Sequence, residues 1–367
     1  MRNKSYSAPI ERLEVSHYTI PTDAPESDGT LQWNHTGLVI AVVHGGGKQG
    51  LGYTYAGSET AQLIHGELAA AVKGADAMAP QAAYMTMWEK TRNVGRAGVC
   101  SMAISAVDCA IWDLKARLLD LPLASLLGAT RRSVPVYGSG GFTSYSDGQL
   151  REQLGGWAAE GIGAVKMKIG RDPQHDRERV ETARVAIGPA TRLYVDANGA
   201  YSPRHALGQI TMLAEHDVRW FEEPVTSDDR EGLRFVREHA APMMDIAAGE
   251  YGYTPFYFRE MLADGAVDVL QADITRCGGL TAFLQVAALC QAFNVPLSAH
   301  TAPAQHVAPA CAAIPFTEIE YFHDHVRIER MFFEGLPRLV QGALEPDFSR
   351  PGNGLELRQA DARKFAA

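Results

Sequence analysis

Cysteine is scarce in this 367-residue chain, and the five present, Cys100, Cys109, Cys277, Cys290 and Cys311, are widely spaced and mostly set in apolar, helix-like text. Odd in number and without ligand spacing, they read as reduced core thiols rather than a disulfide or zinc framework. Nowhere do ~18 uncharged apolar residues run together, and the opening MRNKSYSAP has no apolar stretch of the kind an export signal carries. Positive charge is short as well: 34 Lys and Arg against 43 Asp and Glu leave a formal charge of −9. No basic stripe offsets that balance, so phosphate backbones and anionic membrane surfaces would be repelled, and neither nucleic acid nor membrane is expected as a partner. Repeats and low-complexity tracts are also missing. A soluble, cytoplasmic protein is the expectation.

What is present is ordinary globular text. Apolar residues at 46%, charged residues at 21%, 35 Gly and 19 Pro exclude wholesale disorder, collagen and coiled coil. At ~150 residues per domain the length allows two domains, or one α/β barrel with an appendage. Residues 1–130 mix strand and helix signals. Ile10–Tyr18 and Gly37–His44 read as strands, the Gly45–Gly50 run as a turn between strands, and Ser101–Leu119 as a helix with apolar residues at helical spacing, closed by Pro122. An α+β domain is predicted there.

Residues 131–326 change character. Short apolar runs at Val134–Gly138, Ala164–Ile169, Arg192–Asp196, Val218–Glu222, Met244–Glu250, Val267–Asp273, Pro296–His300 and Glu318–Phe322 alternate with amphipathic stretches such as Gln174–Ile187 and Leu280–Phe293. Eight strands joined by crossover helices predict a closed parallel sheet, a (β/α)7β barrel. Residues 327–367, rich in Gly and Pro, are expected to return to the first domain.

Seven of the eight strand ends carry a charged or titratable group, where a β/α barrel builds its site. Lys166 and Lys168 lie in AVKMKIG, Asp196 and Asn198 in YVDANG, Glu222 in WFEEP, Glu250 in AAGE, Asp273 in LQAD, His300 in LSAH and Glu320 in EIEYF, successive groups being 20 to 30 residues apart. One such step is one βα unit, so the set rings one rim. Carboxylates ending three adjacent strands would repel unless a hard cation neutralised them, and oxygen-only ligands favour Mg²⁺ over Zn²⁺. Glu222 and Glu223 are neighbours on opposite faces of a strand, so only one points inward, and the sequence does not choose. Lys166 and Lys168 share a face; beside a cation, each ammonium is expected to lower the other's pKa and free an amine to take a proton. Asp273 and His300 end adjacent strands, where the carboxylate could fix the imidazole tautomer. The other histidines, including His323 and His325, show no such partner.

This ordered set, with the helix motif AISAVDCAIWDLKARLLDLPLASLLG, resembles the enolase superfamily and within it the mandelate racemase subgroup, over nearly the whole chain. The muconate cycloisomerase relatives fit less well, having a lysine after the sixth strand. The resemblance implies an α+β capping domain completed by the C-terminal segment, Mg²⁺ on Asp196, Glu222 and Glu250, Lys168 as the base on one face and the His300–Asp273 dyad on the other. Lys166 and Glu320 would stabilise the substrate carboxylate as a second negative charge develops. Segments Pro21–Gly37, with Trp33, Asn34 and His35, and Gly50–Gly57, with Tyr53 and Tyr55, resemble the family's two specificity loops, closing over a small carboxylate substrate. The implied reaction is dehydration of an acid sugar to a 2-keto-3-deoxy acid, with racemisation, epimerisation or cycloisomerisation by the same chemistry as the alternative, and a homo-oligomer as the assembly. A non-catalytic relative would have no reason to keep the whole set, and a Schiff-base aldolase would need no triple carboxylate site.

Overall fold

The computed structural model describes residues 7–367. Three antiparallel strands open the chain: β1 (Ile10–Ser27), β2 (Gln32–Gly45) and β3 (Lys48–Thr54). β2 is central. The β2–β3 turn is Gly46–Gly47, both at positive φ (58° and 73°), as a tight hairpin with right-handed strand twist requires. One face of this sheet, through Val39, Ala41 and Val43, packs on the helix Val99–Leu118; the other, through Tyr18, Ile20, Leu38 and Ile40, packs on Phe332, Phe333 and Leu355 of the C-terminal segment. The central strand β2 is therefore buried on both faces and runs continuously apolar from Leu38 to Val43, where it crosses the core.

The segment Pro21–Gly37, expected as a loop, is instead the distal half of the β1–β2 hairpin, with Pro21 opposite His35 and Glu26 opposite Trp33 across a bulge. Pro21 and Pro25 are tolerated because β1 is an edge strand whose outer N–H groups have no ladder to join. Asp28 closes the tip, its Oδ1 accepting the N–H groups of Thr30 and Leu31 at 2.6 and 2.7 Å. Gly29 sits against the barrel so closely that a Cβ there would lie 2.3 Å from the Ala197 carbonyl oxygen.

Eight parallel strands follow: β4 (Val134–Gly140), β5 (Ala164–Lys168), β6 (Arg192–Asp196), β7 (Val218–Glu222), β8 (Asp245–Ala248), β9 (Val269–Ala272), β10 (Leu297–Ala299) and β11 (Phe316–Phe322). They pair in chain order, and β11 pairs with β4 to close the barrel. A helix lies between each successive pair. Inside, the period of two stacks side chains in layers. Tyr137, Tyr194 and Trp220 fill the lower barrel with Ala164, Ala247 and Val269, and residues two further along, Lys166, Asp196 and Glu222 among them, form the next layer up. The C-terminal segment is shared. Its hairpin Arg338–Val340 and Ala343–Glu345 extends the barrel sheet beside β4, whereas Asn353 donates to the Leu51 carbonyl and Ala366 bridges to Tyr18 in the first sheet. Between the two units the helix Val99–Leu118 anchors Asp108, buried, to the N–H and hydroxyl of Thr281 at 2.8 and 2.7 Å. Among the described residues no helix is long and apolar enough to cross a membrane.

Candidate active site

The upper barrel layer opens into a cavity of about 550 Å³, roofed by the β1–β2 hairpin and the segment after β3. Asp196, Glu222 and Glu250, at the ends of β6, β7 and β8, are 0%, 0% and 3% exposed and bring one oxygen each to within 4.8 Å of the others. The donors are all oxygen, and Glu250 Oε2 is buried with no hydrogen-bond partner, so the set fits a hard divalent cation such as Mg²⁺. Glu222 is the member of the Glu222–Glu223 pair that joins this set. Its neighbour, at φ 37°, turns to a second cavity beside Ser227 and Tyr257.

Lys166 and Lys168 flank this triad from β5. Lys166 Nζ lies 2.5 Å from Glu222 Oε1 and 2.8 Å from Glu320 Oε1; Lys168 Nζ lies 2.5 Å from Asp196 Oδ2. Burial works against both ammonium groups, yet the adjoining carboxylates outweigh it and hold both pKa values above the usual lysine range. The expected mutual lowering is thus overridden among the protein's own groups, because each lysine is in direct contact with at least one carboxylate. Burial pushes the Glu222 carboxyl well up against the pull of Lys166, with Asp196 and Glu320 adding to the rise. The rim carries more carboxylate than its two lysines balance, which a divalent cation would relieve. Asp196, once shared with such a cation, would also bind the Lys168 proton less tightly.

The opposite side is built by β9, β10 and β11. His300 Nδ1 donates to Asp273 Oδ2 at 2.9 Å, and its Nε2 faces Glu250 Oε2 at 3.4 Å and Glu320 Oε2 at 3.8 Å. Although burial opposes its charge, Asp273 is held well below the carboxylate range by the His300 hydrogen bond and charge and by Arg276. Despite burial, Lys166, His300 and Lys168 hold the Glu320 carboxyl below its usual range, and it accepts from Ser139 Oγ at 2.6 Å and the Thr301 N–H at 3.0 Å, with Lys166 Nζ 2.8 Å away.

The cap contributes unevenly. Trp33, half-buried, faces the cavity with its Nε1–H bonded to Glu26 Oε2 at 2.7 Å; His35, Tyr55 and Asn198 also line it. Tyr53 does not. Cross-strand pairing sets it opposite Ile40, on the sheet face turned to the C-terminal segment, where it stacks on Phe333 and donates to Glu329 Oε1 at 2.5 Å. Several wall residues carried no signal in the sequence: Arg276, between Asp273 and Glu250 with an oxygen of each 3.5 Å away, His325, stacked on Tyr55 with centroids 3.3 Å apart, and His17. Only the Arg276 spacing, three residues after Asp273, could have drawn attention to it.

Comparison with known proteins agrees with this geometry. Residues 22–128 match the mandelate racemase / muconate lactonizing enzyme N-terminal domain, and residues 149–362 the enolase C-terminal domain-like family. A 3,6-anhydro-alpha-L-galactonate cycloisomerase from Streptomyces coelicolor is 33% identical over 359 residues, covering 95% of this chain and 97% of that protein. The crystal structure of a mandelate racemase/muconate lactonizing enzyme-like protein from Rubrobacter xylanophilus superposes with TM-score 0.96 at 51% identity, over 98% of this chain and 100% of that one. L-talarate/galactarate dehydratase from Salmonella typhimurium, liganded with Mg and L-lyxarohydroxamate, superposes with TM-score 0.90 at 26% identity, over 100% of this chain and 95% of that one. With both domains matched in order around one carboxylate triad, the chain belongs to the enolase superfamily, as a mandelate racemase/muconate lactonizing enzyme-like member.

Proposed function

We propose that this protein removes the proton α to the carboxylate of an acid sugar, with Mg²⁺ held by Asp196, Glu222 and Glu250, and that the overall reaction is dehydration to a 2-keto-3-deoxy acid. The observation that carries the reading is the order around one rim: two lysines, three carboxylates, then the Asp273–His300 pair, with Lys168, Glu250 and His300 facing one cavity and the others packed directly beneath them. A proton α to a carboxylate is barely acidic because its removal builds a second negative charge on the carboxylate oxygens. A divalent cation bound there supplies positive charge at those oxygens. Lys166, fixed by Glu222 and Glu320, adds a buried cation that needs no reorganisation.

Lys168 on one side, or His300 on the other, takes the α-proton according to the substrate's configuration. Asp273 fixes the Nδ1–H tautomer, leaving Nε2 of His300 as the acceptor. Where His300 has taken the α-proton, it passes that proton from Nε2 to the departing β-hydroxyl, which leaves as water; where Lys168 has taken it, His300 enters the step as the imidazolium and gives its Nε2 proton to the same leaving group. The electron pair of the broken C–H bond becomes the Cα–Cβ double bond, and the resulting enol tautomerises to the 2-keto acid. Cycloisomerisation is the second reading, favoured by the Streptomyces coelicolor relative aligned over nearly all of both chains; it shares the first proton transfer and delivers the electrons to a ring oxygen instead. The test is a panel of acid sugars with Mg²⁺, scored for 2-keto acid release and for α-proton exchange in D₂O. Keto acid release supports dehydration. Consumption of an anhydro or lactone substrate without loss of water supports cycloisomerisation, and no exchange on any acid sugar overturns both.

A further inference from the structure

The end of the cavity remote from the carboxylate triad is formed by the cap, and its chemistry is lopsided. Among the described residues lining the cavity, the only fixed cations are Lys168 and Arg276. Both belong to the barrel side and both are committed. Lys168 pairs with Asp196 at 2.5 Å; Arg276 lies 3.5 Å from both Asp273 Oδ2 and Glu250 Oε1 and donates to the Glu250 carbonyl at 3.2 Å. The cap offers instead two carboxylates, Asp28 (6% exposed) and the exposed Glu59, with two imidazoles, His17 and His35, the hydroxyls of Thr19 and Thr36 and the flat face of Trp33; none of these is a permanent cation. His325, behind Tyr55, is held neutral, its pKa pushed well below the usual imidazole value by burial and by His300.

Resting on the proposed α-proton chemistry, we infer that the substrate is a monocarboxylic sugar acid, an aldonate or its anhydro form, whose far end is an uncharged polyol or cyclic ether, and that aldarates are rejected. A carboxylate at the far end would lose water in this cavity without meeting a fixed cation, and would face Asp28 directly. A hydroxyl there can donate to Asp28, to Glu59 and to Thr36, whose own proton goes to Asp324, and can accept from Thr19, while sugar C–H groups lie on Trp33. Selection against the diacid is thus an unpaired like charge, a repulsive device in addition to an attractive one.

The experiment is calorimetric titration of the Mg²⁺-loaded protein with matched pairs differing only in the terminal group, such as galactonate and galactarate or gluconate and glucarate, followed by turnover of the same pairs. For the pairs that bind, the aldonate should bind at least ~30-fold more tightly than its aldarate. Asp28→Asn keeps the amide oxygen that accepts from Thr30 and Leu31 and removes the charge, so it should narrow that ratio by ~5-fold or more. Glu59→Gln, an exposed position in the first turn of the helix Ser58–Leu63, should narrow it in the same direction. Equal or tighter binding of the aldarate overturns the inference and leaves the α-proton chemistry standing. A preference for aldonates in binding, without exchange or turnover, keeps the inference and overturns the reaction. Binding of neither series overturns both.

Discussion

Asp273→Asn exposes the logic of the site because the structure dictates how the new amide must lie. Asp273 Oδ1 accepts the Thr275 N–H at 2.7 Å, and Oδ2 faces His300 Nδ1 at 2.9 Å. A backbone N–H can be met only by the amide oxygen, so the asparagine NH₂ is forced toward the imidazole. It then donates to Nδ1, and the hydrogen moves to Nε2, the nitrogen that must accept the substrate's proton. Loss of a charge-assisted hydrogen bond between groups no more than 9% exposed costs ~1.5–3 kcal/mol, or ~10–150-fold. The inverted tautomer adds to this, and the same change in a serine protease triad lowers kcat by ~10⁴. Turnover of Asp273→Asn should therefore fall at least ~100-fold with KM little changed. The assay is steady-state 2-keto acid release on the substrate found by the panel, beside circular dichroism and Mg²⁺ titration to show an intact fold and metal site. Turnover within about threefold of the wild type would refute the tautomer argument and with it the role of the dyad.

The remaining expectations are of different kinds. His300→Asn should stop product formation yet leave Lys168 able to exchange the α-proton of a substrate of matching configuration in D₂O, and Lys168→Ala should abolish exchange on its own face; proton NMR distinguishes the two lesions. Trp33→Ala should change KM or substrate preference while leaving Mg²⁺ affinity intact, and an unchanged substrate profile would remove the hairpin from the binding surface. Glu250→Gln should weaken Mg²⁺ binding at least ~10-fold by titration calorimetry. Glu329 is pushed up from 4.5 to about 8, chiefly by burial. The folded state therefore holds its proton where the unfolded chain has lost it, and stability drops as pH rises from about 4.5 to 8, by on the order of 5 kcal/mol at ~1.4 kcal/mol per tenfold step. Glu26 and Asp108, pushed up to about 8 and about 7, slope the same way. The Tm of the wild type should therefore fall between pH 5 and pH 9, and Glu329→Gln should flatten part of that fall; an identical slope in the variant would contradict the assignment.

The barrel was legible because its strands are short, apolar and bounded, and because polar residues collect at one end of each. Arg192–Asp196 and Val218–Glu222 were read to the residue. The hairpin was not, since Pro21, Pro25 and Asp23 between them carry turn chemistry, and only the unpaired edge of β1 makes them acceptable in a strand. Tyr53 was misread for a different reason. Which face a strand residue occupies depends on register, and register here is set by pairing with Ile40 across the sheet and by the buried Glu329, more than 270 residues away in sequence. The lysines show the limit for electrostatics: their spacing reveals that they share a face, but not that Asp196, Glu222 and Glu320 reach within 2.8 Å of them. Arg276 and His325 reach the cavity from segments after the strand ends, where no periodicity marks a side chain as inward.

The most direct test of the central claim is proton NMR of the α-hydrogen of an acid sugar in D₂O, run with the metal-free protein, after addition of Mg²⁺, and again after excess EDTA. The account predicts loss of the α-proton signal and appearance of 2-keto acid only in the Mg²⁺ sample, with both halted on chelation and resumed on returning the metal. Exchange that continues at full rate after exhaustive chelation, or its absence from every acid sugar in the presence of Mg²⁺, would contradict it.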